Sequence, residues 1–231
     1  MAAVSVRMRA WPTQGTYGKR GKNTMLGVYN YTVILTYIGM LTGLAGIGLV
    51  LRGGLPWALL CLLLAGLFDM FDGTIASTKK DRTPQEKRFG VQIDSLSDLV
   101  CFGVLPAAIV FAAAHGRAVA AVVSGLYALC ALIRLAWFNV DEEERQDTAA
   151  GGRTQYLGLP VTTVALFLPT LLGVARLASW PLGALGAGLL AVMAVAFLLP
   201  FKLAKPGLAG KLVMLLIGCT ELVVVLLGVK L

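Results

Sequence analysis

The chain is short of charge. Asp, Glu, Lys and Arg make up 14% of its 231 residues, where a soluble domain carries about 25%. The hydrophobic share is 58% and the mean hydropathy +0.80. A water-soluble globule lacks the interior to hide so much apolar side chain. A soluble enzyme, a disordered chain and a nucleic-acid-binding domain are therefore excluded, despite the net charge of +8. Histidine occurs once, at His115, and no Ser-His or Cys-His pairing suggests a nucleophile. Cys61, Cys101, Cys130 and Cys219 fall inside apolar runs without metal or disulfide spacing, and read as small buried residues. There is no Ser/Gly-rich linker and no internal repeat. The first 22 residues contain no acid and no apolar h-region, so they read as a basic interfacial segment rather than a signal peptide.

What the chain has in abundance is apolar runs long enough to cross a bilayer, which takes about 20 residues of helix. Seven are read, at 28–51, 56–76, 91–114, 118–139, 160–177, 181–200 and 209–229. Arg52-Gly53-Gly54, His115-Gly116-Arg117 and Ser179-Trp180 are tight turns between them. Backbone groups in lipid must pair within their own segment, and the runs are continuous rather than alternating. The expected fold is an all-α integral membrane bundle of about seven, six to eight, transmembrane helices. Residues 1–27 form a basic N-terminal segment and 28–231 a single transmembrane domain.

With the N-terminus inside, the inner segments hold Arg7, Arg9, Lys19, Arg20, Lys22, Lys79, Lys80, Arg82, Lys87, Arg88, Arg145, Arg153, Lys202, Lys205 and Lys211. The outer ones hold only Arg52, Arg117, Arg176 and Lys230. That asymmetry sets the orientation and explains the positive charge through topology and anionic lipid, with no nucleic-acid partner.

Four of the twelve acids, Asp69, Asp72, Asp94 and Asp98, lie at the inner ends of the second and third runs, where isolated carboxylates are unfavourable. At about 100° per residue, Asp69, Asp72, Gly73 and Ala76 share one helix face, and Gly90, Asp94 and Asp98 share another. Thr83-Pro84-Gln85-Glu86 reads as a capped helix start. With the second helix ending near Thr78, Asp69 and Asp94 then lie at matching depths of about 14 and 15 Å. The four carboxylates converge, and cannot all ionise without a cation. Oxygen-only ligation suits Mg²⁺, Mn²⁺ or Ca²⁺.

Asp69, Asp72, Gly73, Ala76, Gly90, Asp94 and Asp98 match the pattern D-x2-D-G-x2-A-R, spacer, G-x3-D-x3-D. On this motif the chain resembles the CDP-alcohol phosphatidyltransferase superfamily. One position departs: Ser77 stands where the pattern has Arg, and the spacer is longer than in many members. Lys79, Lys80 or Arg82 is the candidate replacement. Gln92 to Ala107, Leu132 to Asn139 and Tyr156-Leu157-Gly158-Leu159-Pro160 are similar to the branch of the family whose acceptor alcohol is serine.

The resemblance implies transfer of a phosphatidyl group from CDP-diacylglycerol to L-serine, with release of CMP, at the cytoplasmic face of the cell membrane. It also implies a divalent metal, Mg²⁺ or Mn²⁺, and a homodimer. Asp69, Asp72 and Asp94 would hold the metal. Asp98 would act as general base and is also a candidate metal ligand. The CDP group would be met by Asp69, Gly73, Ala76, Gly90, Lys79, Lys80, Arg82 and Thr32, although the Thr32 hydroxyl equally suits its own helix backbone. Arg134, Asn139, Arg153 and Tyr156 are candidates for the serine carboxylate, with snorkelling to the inner surface as the other reading of Arg134. Asp141-Glu142-Glu143-Glu144 reads as a solvated acidic turn, and Glu221 is given no catalytic role. Two alternatives stay open. One is the same chemistry on glycerol 3-phosphate or inositol phosphate; the other is a cation transporter using the four aspartates.

Overall fold

A computed structural model describes residues 26–147, 155–204, 218 and 220. The expected span at 209–229, Glu221, Arg153 and nearly all of the N-terminal segment lie outside the described residues. The elements run α1 (Tyr31–Leu51), α2 (Leu55–Thr78), α3 (Pro84–Asp98), a π-helical turn (Leu99–Val104), α4 (Leu105–Ala113), α5 (Ala118–Asp147), β1 (Gln155–Leu157), a 3₁₀ turn (Val161–Thr163), α6 (Val164–Leu177), α7 (Leu182–Leu198) and β2 (Lys202–Ala204). Among the described residues four helices are long and apolar enough to cross a membrane: Tyr31–Leu51, Leu55–Thr78, Pro84–Ala113 and Ala118–Glu144. Val161–Leu177 and Leu182–Leu198 are shorter apolar helices.

The three expected tight turns all join helices. Gly53, Gly116, His115 and Ser179 adopt positive φ there, the conformation that reverses a chain in two or three residues. The helical fold class stands as expected; among the described residues the only sheet is a ladder of three residues a side, in which β1 and β2 pair antiparallel with Tyr156 opposite Leu203 and tie the start of the 3₁₀–α6 segment to the end of α7. One expectation needs correction. The stretch Asp141 to Glu144 is not a turn but part of α5, which continues to Asp147. Its Glu, Arg and Gln residues favour helix, no Gly or Pro interrupts it, and Asp141 stands four residues before Arg145.

The core is built from Leu62 of α2, Phe102 of the π turn, Leu105 and Ile109 of α4, Tyr127 and Ala131 of α5, Leu168 of α6, and Leu190 and Phe197 of α7. Leu41, Trp57, Phe111, Val119, Trp137, Phe167 and Val192 point outward and are exposed, as a lipid-facing surface requires. Close helix approach relies on small residues. A Cβ on Gly43 would fall 2.6 Å from Cys101 Sγ, and one on Gly183 would fall 2.5 Å from the Ala114 backbone.

The π turn has a local cause. Pro106 has no N–H to offer the Phe102 carbonyl four residues earlier, and its ring crowds that carbonyl in a regular helix. The chain widens instead, with Leu105 N–H bonding Val100 O. The buried Tyr127 hydroxyl donates to Phe102 O at 2.6 Å, fixing the turn that follows directly on Asp98.

Candidate active site

The site forms where α1 begins, α2 ends and α3 begins. Glu86 joins all three. With Thr83 it forms a capping box, Glu86 N–H donating to Thr83 Oγ1 at 3.1 Å and Thr83 N–H to Glu86 Oε2 at 2.8 Å. Its Oε1 accepts from Lys79 Nζ and from Asn30 Nδ2, both at 2.8 Å. Asn30 is in turn the N-cap of α1. The Glu86 carboxylate holds the Lys79 ammonium above the ordinary lysine range.

This junction brings the aspartates together. Asp69, Asp94 and Asp98 each present a carboxylate oxygen within 4.8 Å of the others. Asp72 touches Asp94, as Asp69 touches Asp98. Asp72 is buried, and its Oδ2 accepts a 3.0 Å hydrogen bond from Thr36 Oγ1. Among the described residues no cation is paired with any of the four. An oxygen-only set of facing carboxylates without a counter-charge fits a divalent cation.

Beside the cluster lies a cavity of about 470 Å³. Thr32, Val33 and Thr36 of α1 line it, as do Asp72, Gly73, Ala76 and Ser77 of α2. Lys79, Lys80 and Arg82 of the loop and Lys87, Gly90, Val91 and Asp94 of α3 complete the wall. Of the residues expected to meet CDP, Thr32, Gly73, Ala76, Lys79, Lys80, Arg82 and Gly90 all line this one space. Asp69 and Asp98 are further along their helices, behind Asp72 and Asp94. The buried Thr32 hydroxyl bonds Asn30 Oδ1 within the cap rather than its own helix backbone. The sequence reading missed Thr36, Lys87 and Glu86 as site residues; Thr36 was within reach, standing four residues after Thr32 on the same helix face.

Of the residues expected to bind the acceptor, Arg134 and Asn139 do not line the cavity. Arg134 is 7% exposed, donates from Nε to Leu159 O at 3.3 Å and stacks over Phe138 at 5.9 Å. It is held inside the protein rather than snorkelling. Asn139 accepts from Ser95 Oγ at 2.7 Å and donates to Gln92 Oε1 at 3.2 Å, bolting α5 to α3. Tyr156 is the central residue of β1, and Arg153 lies outside the described residues.

Two membrane helices meeting in a four-aspartate cluster, with glycines and basic residues around an adjoining cavity, define a class of membrane protein. Residues 29–200 match the CDP-alcohol phosphatidyltransferase family, and the chain belongs to it. With its apolar helices, this makes it an integral membrane protein.

Relatives show which members it is similar to. It is 35% identical over 134 residues to archaetidylserine synthase of Methanothermobacter thermautotrophicus, covering 58% of this chain and 53% of that protein. It is 38% identical over 109 residues to the CDP-diacylglycerol–serine O-phosphatidyltransferase of Saccharomyces cerevisiae, covering 46% and 38%. With the enzyme of that name from Mycobacterium tuberculosis it shares 29% identity over 156 residues, covering 67% and 51%. The chain thus spans about half or less of the length of these curated relatives.

Proposed function

We propose that the protein is a CDP-diacylglycerol–serine O-phosphatidyltransferase, moving the phosphatidyl group of CDP-diacylglycerol to the hydroxyl of L-serine to give phosphatidylserine and CMP. The observation that carries this is the convergence of Asp69, Asp72, Asp94 and Asp98 beside a cavity lined by Gly73, Ala76, Gly90 and basic side chains. The names of the relatives favour serine as acceptor.

The four aspartates would hold Mg²⁺ or Mn²⁺, which when bound offsets negative charge on phosphoryl oxygens. Gly73, Ala76 and Gly90 leave room for close approach of the nucleotide, while Lys79, Lys80 and Arg82 face its phosphates. Thr36 orients Asp72 through its 3.0 Å hydrogen bond. Asp98 takes the proton of the serine hydroxyl onto a carboxylate oxygen. The hydroxyl oxygen then bonds to the phosphorus that carries diacylglycerol as the bond from that phosphorus to CMP breaks. The serine carboxylate is assigned to the region of Arg134, Asn139, Arg153 and Tyr156, at the junction of α5 with the β1–α6 connection.

The same reading gives one domain over 28–231 with about seven spans, six to eight, the last at 209–229. It sits in the cytoplasmic membrane as a homodimer, its site facing the cytoplasm. Orientation is supported by Lys79, Lys80, Arg82, Lys87 and Arg88 on the site's side against Arg52 and Arg117 in the opposite turns and Arg176 at the end of α6. Cation transport has less support, because the cavity beside the aspartates carries four cationic side chains that repel a permeating cation.

The test supplies purified protein with CDP-diacylglycerol, Mg²⁺ or Mn²⁺, and serine, glycerol 3-phosphate or inositol phosphate separately, while CMP is measured. Release with serine alone is expected. Release with glycerol 3-phosphate and not serine would reassign the acceptor, and no release with any acceptor would sink the proposal.

A further inference from the structure

We infer that Arg82, reaching back from the α2–α3 loop, binds the diphosphate of the CDP-lipid through its guanidinium, in a chain that has Ser77 where the family pattern carries Arg. The inference rests on the reading of the cavity as a CDP-lipid site. Ser77 is no substitute: it is uncharged, and its hydroxyl bonds Thr74 O of its own helix at 2.7 Å. Four cations line the cavity, and they are not equivalent. Lys79 is paired with Glu86 at 2.8 Å. Lys80 and Lys87 are exposed at the mouth. Arg82 is half-buried, and its Nε is enclosed without any hydrogen-bond partner. A buried donor on a charged group is costly to leave unpaired, so this nitrogen calls for an acceptor that the protein itself does not supply.

The chain is shaped around that guanidinium. Arg82 Nη2 donates to Glu86 O at 3.3 Å, on the residue that locks the loop to three helix ends. The same nitrogen lies over bare α3 backbone at Gly90, where a Cβ would fall only 2.5 Å from it. Gly90 is one turn before Asp94, so the guanidinium is held one turn from the carboxylates, on the cavity wall. Its planar donors match paired phosphate oxygens, as a lysine point charge does not. The five-residue loop 79–83 between α2 and α3 places Arg82 just ahead of the first turn of α3.

The test follows CMP release against CDP-diacylglycerol concentration at saturating serine, with the full chain in nanodiscs. Loss of charge-assisted hydrogen bonds in Arg82→Ala raises KM for the lipid about ten- to hundredfold. Ser77→Arg added to Arg82→Ala returns the charge from α2 and brings KM back to within about threefold of wild type. Arg82→Lys keeps stem and charge, guards against misfolding, and still shows a raised KM because it lacks the fork. An unchanged KM in Arg82→Ala, a Lys80→Ala variant that loses as much, or no recovery in the double variant would each overturn the assignment. Inactivity of the wild type with every acceptor would instead refute the proposed function itself.

Discussion

Replacing Tyr127 by Phe removes one oxygen from the centre of the bundle. The ring stays, with its partner Phe197 at a centroid distance of 5.5 Å, so packing is nearly unchanged. What is lost is the 2.6 Å donation to Phe102 O. That carbonyl receives nothing from position 106, where proline has no N–H, and the surrounding interior holds Leu105, Ile109 and Ala131 at zero exposure. Leaving a buried acceptor unsatisfied costs about 1–3 kcal/mol. With no water in the bilayer core to replace the donor, the expected loss is about 2 kcal/mol, or about thirtyfold in the folded-to-unfolded ratio. Unfolding in mixed micelles with increasing SDS, followed by circular dichroism, measures it. In a Pro106→Ala background the helix supplies its own N–H, and the same substitution should cost about 1 kcal/mol or less. A loss below about 0.5 kcal/mol in the Pro106 protein would show that the carbonyl does not depend on Tyr127.

Two further outcomes follow from packing and from the carboxylate cluster. Gly183→Ala drives a methyl against the Ala114 backbone, which cannot rotate aside, and should cost about 1–3 kcal/mol; Gly188→Ala, with nothing within 4 Å of the added carbon, should be neutral or slightly stabilising, and equal melting temperatures for the two would contradict the close α4–α7 approach. Chelation with EDTA should abolish CMP release, with Mg²⁺ or Mn²⁺ restoring it, and either ion should raise the melting temperature of wild type but not of Asp94→Asn. Activity untouched by EDTA would remove the metal role of the aspartates.

Much of the site was legible because its signals are local. The Thr83–Glu86 capping box marks the start of α3, and the fixed rise per residue then matches the depths of Asp69 and Asp94 without tertiary information. The spacing of Gly73, Ala76 and Gly90 placed them on the same faces as the acids. What stayed hidden depends on contacts between distant residues. The π turn arises from Pro106 acting on a carbonyl that Tyr127, 25 positions along from Phe102, then satisfies. The β1–β2 ladder joins segments whose short strands carry no alternating pattern of their own. Arg134 read as a charge near the inner surface because nothing in the sequence announces the Leu159 carbonyl and Phe138 ring that hold it inside. The acidic end of α5 reads as a turn by its run of charge, but the helix propensity of the same residues carries α5 on to Asp147.

The central claim is that the converging aspartates carry transfer of a phosphatidyl group to serine. Incorporation of radiolabelled serine into extractable lipid, with purified protein, CDP-diacylglycerol and Mg²⁺ or Mn²⁺, tests it most directly. The account predicts label in phosphatidylserine in step with CMP release for wild type, and neither for Asp98→Asn that is inserted and folded. Labelled lipid formed equally well by Asp98→Asn, or none formed by wild type while another acceptor releases CMP, would contradict it.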